Sequence, residues 1–467
     1  MNSHNLTKNL YTAFFAQICS HLVSAALILL APRLLTMEQY GAIQLLILYL
    51  SFVGMLHLGL NDGIFLRLGG RTIAELKNEY IARKFVILIA FNTATAALLI
   101  ITTILFEIPQ PQRTILIIAS ICIPLVNGAG FLGFVHQATG MGYIYTRSVI
   151  LEKTTSLLLI FALITIRPQE IIFYLLWVPL AMIFPMVYLV SQSPRIPHSS
   201  LTPLSMVLKA TADDVRLGAQ VMVSNIAGSL IVGSNLFIIV RYYGVREFGK
   251  VALATTMATF TIAFVLQAGA VLFPMVRRMG LATQTALFEQ MGRALTPLLL
   301  PLLLLYYPLS SFISYWMPQY DDSKNYLVGL LPLVVFEGKM TILYSTFMRN
   351  YYKQKALLII NLCTALCAAV LAVVVAETLH STTLVPFAIL LCFILRAIST
   401  EYYLAALMRV RKGNCLAYDL LGVTLFIVFS QKAGPAAGFL VVLVLVGLYL
   451  LRFYRSILNT ARLLYST

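Results

Sequence analysis

Apolar runs of roughly 20 residues follow one another from end to end of this 467-residue chain, each long enough to cross a bilayer as a helix. No other feature restricts the fold as much. The runs are continuous rather than alternating, which argues against barrel strands. With 60% hydrophobic and 11% charged residues, a soluble protein of this length could not hide its apolar surface. The pattern predicts an all-α polytopic membrane protein of about fourteen transmembrane helices. Their centres fall near residues 22, 52, 96, 124, 159, 180, 230, 260, 300, 335, 365, 393, 425 and 444. No polar stretch is long enough for a soluble domain, so catalysis by an attached globular head is excluded.

The net charge of +16 raises the question of nucleic acid. The Lys and Arg residues, however, sit in short loops between apolar runs. Alternate loops carry 23 of them on one side and 8 on the other, so the positive-inside rule accounts for the excess and places both termini in the cytoplasm. Nucleic acid is not an expected partner. The N-terminal segment, with Lys8 and an apolar stretch reaching Leu35, reads as an uncleaved first span. The six cysteines lie in or beside apolar runs with no His or carboxylate to complete a metal set, so no metal and no cofactor are expected.

The stretch 36–71, TMEQYGAIQLLILYLSFVGMLHLGLNDGIFLRLGGR, reads as a tight turn, a long apolar helix and a polar, glycine-rich exit. A variant of its opening returns as GVREFG at 244–249, about 208 residues later (Gly41 to Gly249). At that offset Tyr40 aligns with Phe248, Leu58 with Leu266 and Phe65 with Phe273. The recurrence suggests a duplicated membrane protein whose halves are related by an axis along the membrane normal. The expected organisation is a six-helix lobe at 1–192 and a cytoplasmic linker with a short interfacial helix at 193–211. A second six-helix lobe follows at 212–410, and two further spans with a tail at 411–467.

Ionisable groups deep in a bilayer are costly and face a cavity or a partner. Glu337 and Lys339 lie mid-span but, two residues apart, point to opposite sides of their helix. Arg396 is also mid-span, with Glu401 about 7 Å further along the axis. Asp62 and Arg67 lie near the cytoplasmic end of the second span, and Glu152 and Lys153 about two turns inside the fifth. Lys339, Arg396, Arg67 and Lys153 are candidates to hold an anionic substrate group, since cations grip phosphate, guanidinium in a bidentate way. Glu337, Glu401, Asp62 and Glu152 are candidates to orient those cations or bind a coupling ion. The alternative is a set of helix-pinning ion pairs, such as Lys339 with Glu401 and Arg396 with Glu337. Gln17, Ser20, His21 and Ser24 line the first span; Gln220, Ser224, Asn225, Ser229 and Asn235 line the seventh. Of these, Gln17, Ser20, Gln220, Asn225 and Asn235 are the candidates for sugar hydroxyls, with helix–helix bonding as the alternative. No GxxxxGKS, HExxH or GxSxG motif occurs, which argues against an enzyme.

The segments MEQYGAIQLL, GLNDGIFLRLGG, LGAQVMVSNIAGSLIVGSNLFIIVRYYGVREFGKVALA, FEGKMTILYSTFMRNYYKQKA and LRAISTEYYL resemble bacterial polysaccharide-biosynthesis flippases. These are the Wzx-like lipid-linked oligosaccharide exporters of the multidrug/oligosaccharidyl-lipid/polysaccharide superfamily, relatives of the lipid II flippase and the MATE transporters. The resemblance covers nearly the whole chain. It implies two six-helix lobes around a cationic cavity, alternating access in the plasma membrane, and an undecaprenyl-pyrophosphate-linked glycan as cargo. Membrane lipid, a proton or sodium gradient, a polysaccharide polymerase and glycosyltransferases are the implied partners. Many relatives have an acidic-basic pair late in the seventh helix, where this chain has Asn235 and Leu236. The competing readings are a MATE-type drug exporter, a membrane polymerase or glycosyltransferase, and a non-transporting scaffold of a polysaccharide assembly complex.

Overall fold

The computed structural model describes residues 23, 25–26, 28–71, 73–76, 80–166, 170–193, 203–410 and 415–465. Among them there is no β-strand, and ten helices are long and apolar enough to cross a membrane. The chain forms two compact units, Met1–Ile226 and Ala227–Thr467.

In the first unit the helices are α1 (Met37–Val53), α2 (Leu60–Leu68), α3 (Ile81–Leu105), α4 (Gln112–Ala138), α5 (Gly142–Ile166) and α6 (Ile171–Gln192). The opening part of α7 (Leu204–Arg278) completes it. Thr36 starts α1 with a reciprocal cap: its hydroxyl accepts from the Gln39 N–H, and the Gln39 side chain accepts from the Thr36 N–H. α4 is the hub, touching α1, α2, α3, α5 and α6. Val86, Leu98, Leu105, Phe161 and Val187 are exposed on outer faces, as lipid contact requires.

The long second span expected from the sequence is broken. The chain leaves α1 at Gly54 and re-enters helix after Gly59, which takes a left-handed φ of 90°. The polar exit is itself helical, as α2. The break lets α2 cross α7 at backbone contact. A Cβ on Gly63 would collide with the Asp214 carbonyl, and one on Gly218 with the Gly59 carbonyl and the Gly63 nitrogen. The GxxxG spacing of Gly59 and Gly63 is the membrane form of such a crossing. Gly218→Ala is therefore expected to cost about 1–3 kcal/mol. The same change at Gly228, whose Cβ would meet nothing within 4 Å, serves as the control. Thermal unfolding in detergent should show a lowered transition for the first and none for the second.

The short apolar patch at 204–208, expected as a separate interfacial helix, is the first turn of α7. α7 continues into the second unit and bends at Gly244 (φ 81°, ψ 174°), so that this one element supplies two expected spans. The repeat mates Tyr40 and Phe248 are each buried within their own unit.

The second unit continues with α8 (Leu281–Leu299), α9 (Tyr306–Trp316), α10 (Ser323–Leu330), α11 (Leu333–Lys339) and α12 (Ser345–Asn350). It ends with α13 (Gln354–Val374), α14 (Val385–Met408), α15 (Cys415–Lys432) and α16 (Pro435–Tyr465). Pro297 and Pro301 turn the end of α8 into a 3-10 segment, Leu300–Leu305. Pro332 interrupts the next span between α10 and α11, and a π-turn over Met340–Tyr344 joins α11 to α12. This composite span, Ser323–Asn350, is the core of the unit, with almost every residue from Tyr326 to Leu343 buried. α16 packs along α8 and against α15.

Candidate functional site

Two buried charge clusters flank the core span of the second unit. Glu337 and Lys339 do point opposite ways. Glu337 Oε2 accepts from Arg396 Nη1 at 2.7 Å, and Arg396 Nε donates to Asn361 Oδ1 at 2.8 Å. The guanidinium also sits 5.7 Å from the Phe393 ring centre. α11, α13 and α14 thus meet on one arginine, and its mid-helix position explains why every donor needs a partner. The Arg396–Glu337 pair retains an open side, the Glu337 side chain being 24% exposed.

Lys339 is different. Its ammonium is wholly enclosed, donating to Thr296 Oγ1 of α8 at 2.8 Å and to the Asp419 carboxylate of α15. The expected Lys339–Glu401 pair is not formed. Lys339 faces α8 and α15, whereas Glu401 accepts from the Tyr344 hydroxyl at 2.9 Å. In this conformation no solvent reaches Lys339, and its charge is matched by a carboxylate of equal burial. Glu401 and Tyr344 line a cavity of about 30 Å³ with Glu289, Arg293 and Cys415, large enough for a water molecule.

In the first unit the charges gather on a residue that sequence reading did not select. Asp214, fully buried on α7, receives Lys84 Nζ at 2.7 Å and also pairs with the Arg67 guanidinium. Asp62 does not orient Arg67; it lies 3.7 Å from His57 Nε2. In the same unit, Asn127 Nδ2 donates to Asn92 Oδ1 at 2.9 Å and to the Val53 carbonyl, which also accepts the Leu56 N–H in the turn that ends α1. Asn61 Nδ2 donates to the Asn127 carbonyl. One acid thus ties α2, α3 and α7 together.

Other candidates lie on open faces. Glu152 and Lys153, 3.6 Å apart, are each one third exposed, ten residues into α5 and so about 15 Å along it. Arg67 is 30% exposed. Gln220 and Asn225 are exposed on α7, whereas Asn235 is buried and spends its amide on the Ile231 carbonyl. Gln17, Ser20, His21 and Ser24 lie outside the described residues.

Asp419 was legible as the one acid in the apolar run 415–432. Lys84 was not, because its position at the fourth residue of α3 places it among loop cations by sequence. Asp214 was hidden in the same way, in what read as the start of the second lobe.

No protein-family model and no curated protein matches the sequence. Solved structures do. The lipid II flippase MurJ in an inward closed conformation aligns over 96% of this chain and 98% of its own, at 13% identity and a TM-score of 0.66. An inward-facing multidrug-resistance MATE transporter of the MOP superfamily aligns over 84% of this chain and 94% of its own, at 13% identity and a TM-score of 0.65. A MATE structure in complex with MaL6 aligns over 86% and 95%, at 14% identity and a TM-score of 0.53. The chain is a multi-pass membrane protein with the fold of this transporter class. The proteins that share it are named as transporters and a flippase, not as enzymes.

Proposed function

We propose that this protein flips a lipid-linked oligosaccharide, the repeat unit of a cell-surface polysaccharide, across a bacterial plasma membrane by alternating access. The observation that carries the reading is the set of open polar groups at depth. Arg67 and Lys153 are 30% and 33% exposed and Gln220 and Asn225 are open, with the apolar Phe65, Leu66, Leu158, Leu217 and Val221 open on the same helices. Hydrocarbon would not tolerate exposed charges there, so they face a wet path. A pyrophosphate with attached sugars needs such a path, because stripping its water is prohibitive. The cations proposed for the phosphates are Arg67 and Lys153 in the first unit and Arg396 in the second, and the exposed amides are proposed for the sugars. The flippase likeness, which spans both chains almost completely, supports the same class of cargo.

The lobes proposed are 1–192 and 212–410, with both termini cytoplasmic as the loop charges require. Coupling to a proton or sodium gradient is assigned to Glu337, Glu401, Asp62 and Glu152; flipping indifferent to both gradients would remove that role. Deleting the gene should abolish surface polysaccharide and leave its lipid-linked precursor on the cytoplasmic leaflet. Wild-type protein should restore export, and the double variant R67Q/K153Q should restore about a tenth of it or less. Export unaffected by the deletion would overturn the proposal. The likeness to MATE transporters favours a second reading, drug export, which predicts drug sensitivity of the same strain with its polysaccharide intact.

A further inference from the structure

The repeat gives each unit three turns at the end opposite the strongly basic loops, and the two units treat them differently. In the second unit these turns are stitched shut. Lys250 bridges Glu247 at 3.0 Å and Asp322 at 2.7 Å; Tyr326 bonds Glu247 and, at 3.0 Å, Thr382; Tyr242 donates to Glu377 at 2.6 Å. In the first unit the corresponding turns, at the starts of α1, α4 and α6, stand apart around a cleft of about 640 Å³. Thr36, Glu38, Gln39, Gln110, Thr114 and Glu170 supply its polar lining.

We propose that this cleft binds carbohydrate, and that it receives sugar residues of the cargo at the outer face. The assignment to cargo rests on the flippase reading; the sugar site itself does not. The cleft is open, with Thr36, Glu38, Gln110 and Glu170 exposed at its wall, and its volume is within the range of small-ligand sites. Its chemistry is mixed, as sugar hydroxyls need. Thr114 donates to Gln110 Oε1 at 2.8 Å, which leaves its own oxygen as acceptor and the Gln110 amide nitrogen as donor. The Gln39 carbonyl is used by the Thr36 cap, leaving that amide nitrogen as donor too. Glu38 and Glu170 add acceptors at opposite turns. Two carboxylates select against uronic acids and for neutral or amino sugars, so this cleft does not serve the pyrophosphate.

Saturation-transfer NMR on the full chain in nanodiscs, with glucosamine, N-acetylglucosamine and glucuronate as soluble probes, tests this. The first two should give signal and glucuronate little. Thr114→Trp, which fills the cleft, should weaken the signal about tenfold. In case that variant misfolds, E38Q/E170Q should weaken glucosamine by a similar factor while admitting glucuronate. No signal from any probe, or signal unchanged in these variants, overturns the site. Flipping without sugar signal counts against the cleft alone. Sugar signal without flipping counts against the transport reading alone.

Discussion

Replacing Asp214 with asparagine is expected to destabilise the first unit by about 3–5 kcal/mol, the cost of breaking a buried ion pair from one side. Asp214 is wholly buried, and Lys84 beside it is 1% exposed. Removing the acid leaves two cations facing each other with no counter-charge, one of them shut away from water. The loss should spread, because the Asp214 side chain joins α2 and α3 to α7 through Arg67 and Lys84. Lys84→Met should be milder, since Arg67 still neutralises the carboxylate. D214N/K84M removes the enclosed cation together with the acid, keeps the cluster's net charge at that of the wild type, and should recover much of the lost stability. Thermal unfolding of the three variants in detergent decides the matter. Asp214→Asn melting like the wild type would mean that the cluster pins nothing.

A second large effect is expected at Lys339 and Asp419. Either K339M or D419L alone strands a buried charge and should cost about 3–5 kcal/mol; the double variant should recover most of it, because apolar pairs of similar volume replace buried ion pairs well. The cycle also separates roles. Lys339 is enclosed by α8 and α15, so K339M/D419L should still export glycan near the wild-type level. A stable but inactive double variant would return Lys339 to the cargo path. Arg396, whose partner Glu337 keeps an open side, should behave in the opposite way: R396M/E337L should fold and fail to transport.

The membrane class, the all-helical fold and the opposed directions of Glu337 and Lys339 could all be read from the chain, because periodicity and hydropathy are local. The partners could not. Lys339 lies 80 positions from Asp419 and Lys84 lies 130 from Asp214, and no local rule chooses between Glu401 and Asp419 as the acid for Lys339. The break in the second span was missed because Gly54 was read as lying inside a long apolar helix and Gly59 as the start of its polar exit. Only the close approach of Gly218 explains why the chain re-enters helix at Leu60. Exposure was equally out of reach: Asn225 and Asn235 look alike in sequence, yet one lies open and the other is buried.

The most direct measurement uses purified protein in liposomes loaded with a fluorescent undecaprenyl-pyrophosphate-linked oligosaccharide. The fraction of label reachable by an added membrane-impermeant quencher is followed with time. The account predicts that wild-type protein and K339M/D419L expose inner-leaflet label, whereas R67Q/K153Q does so about tenfold more slowly. Label that stays protected with wild-type protein, or that moves at the same rate with R67Q/K153Q, would contradict it.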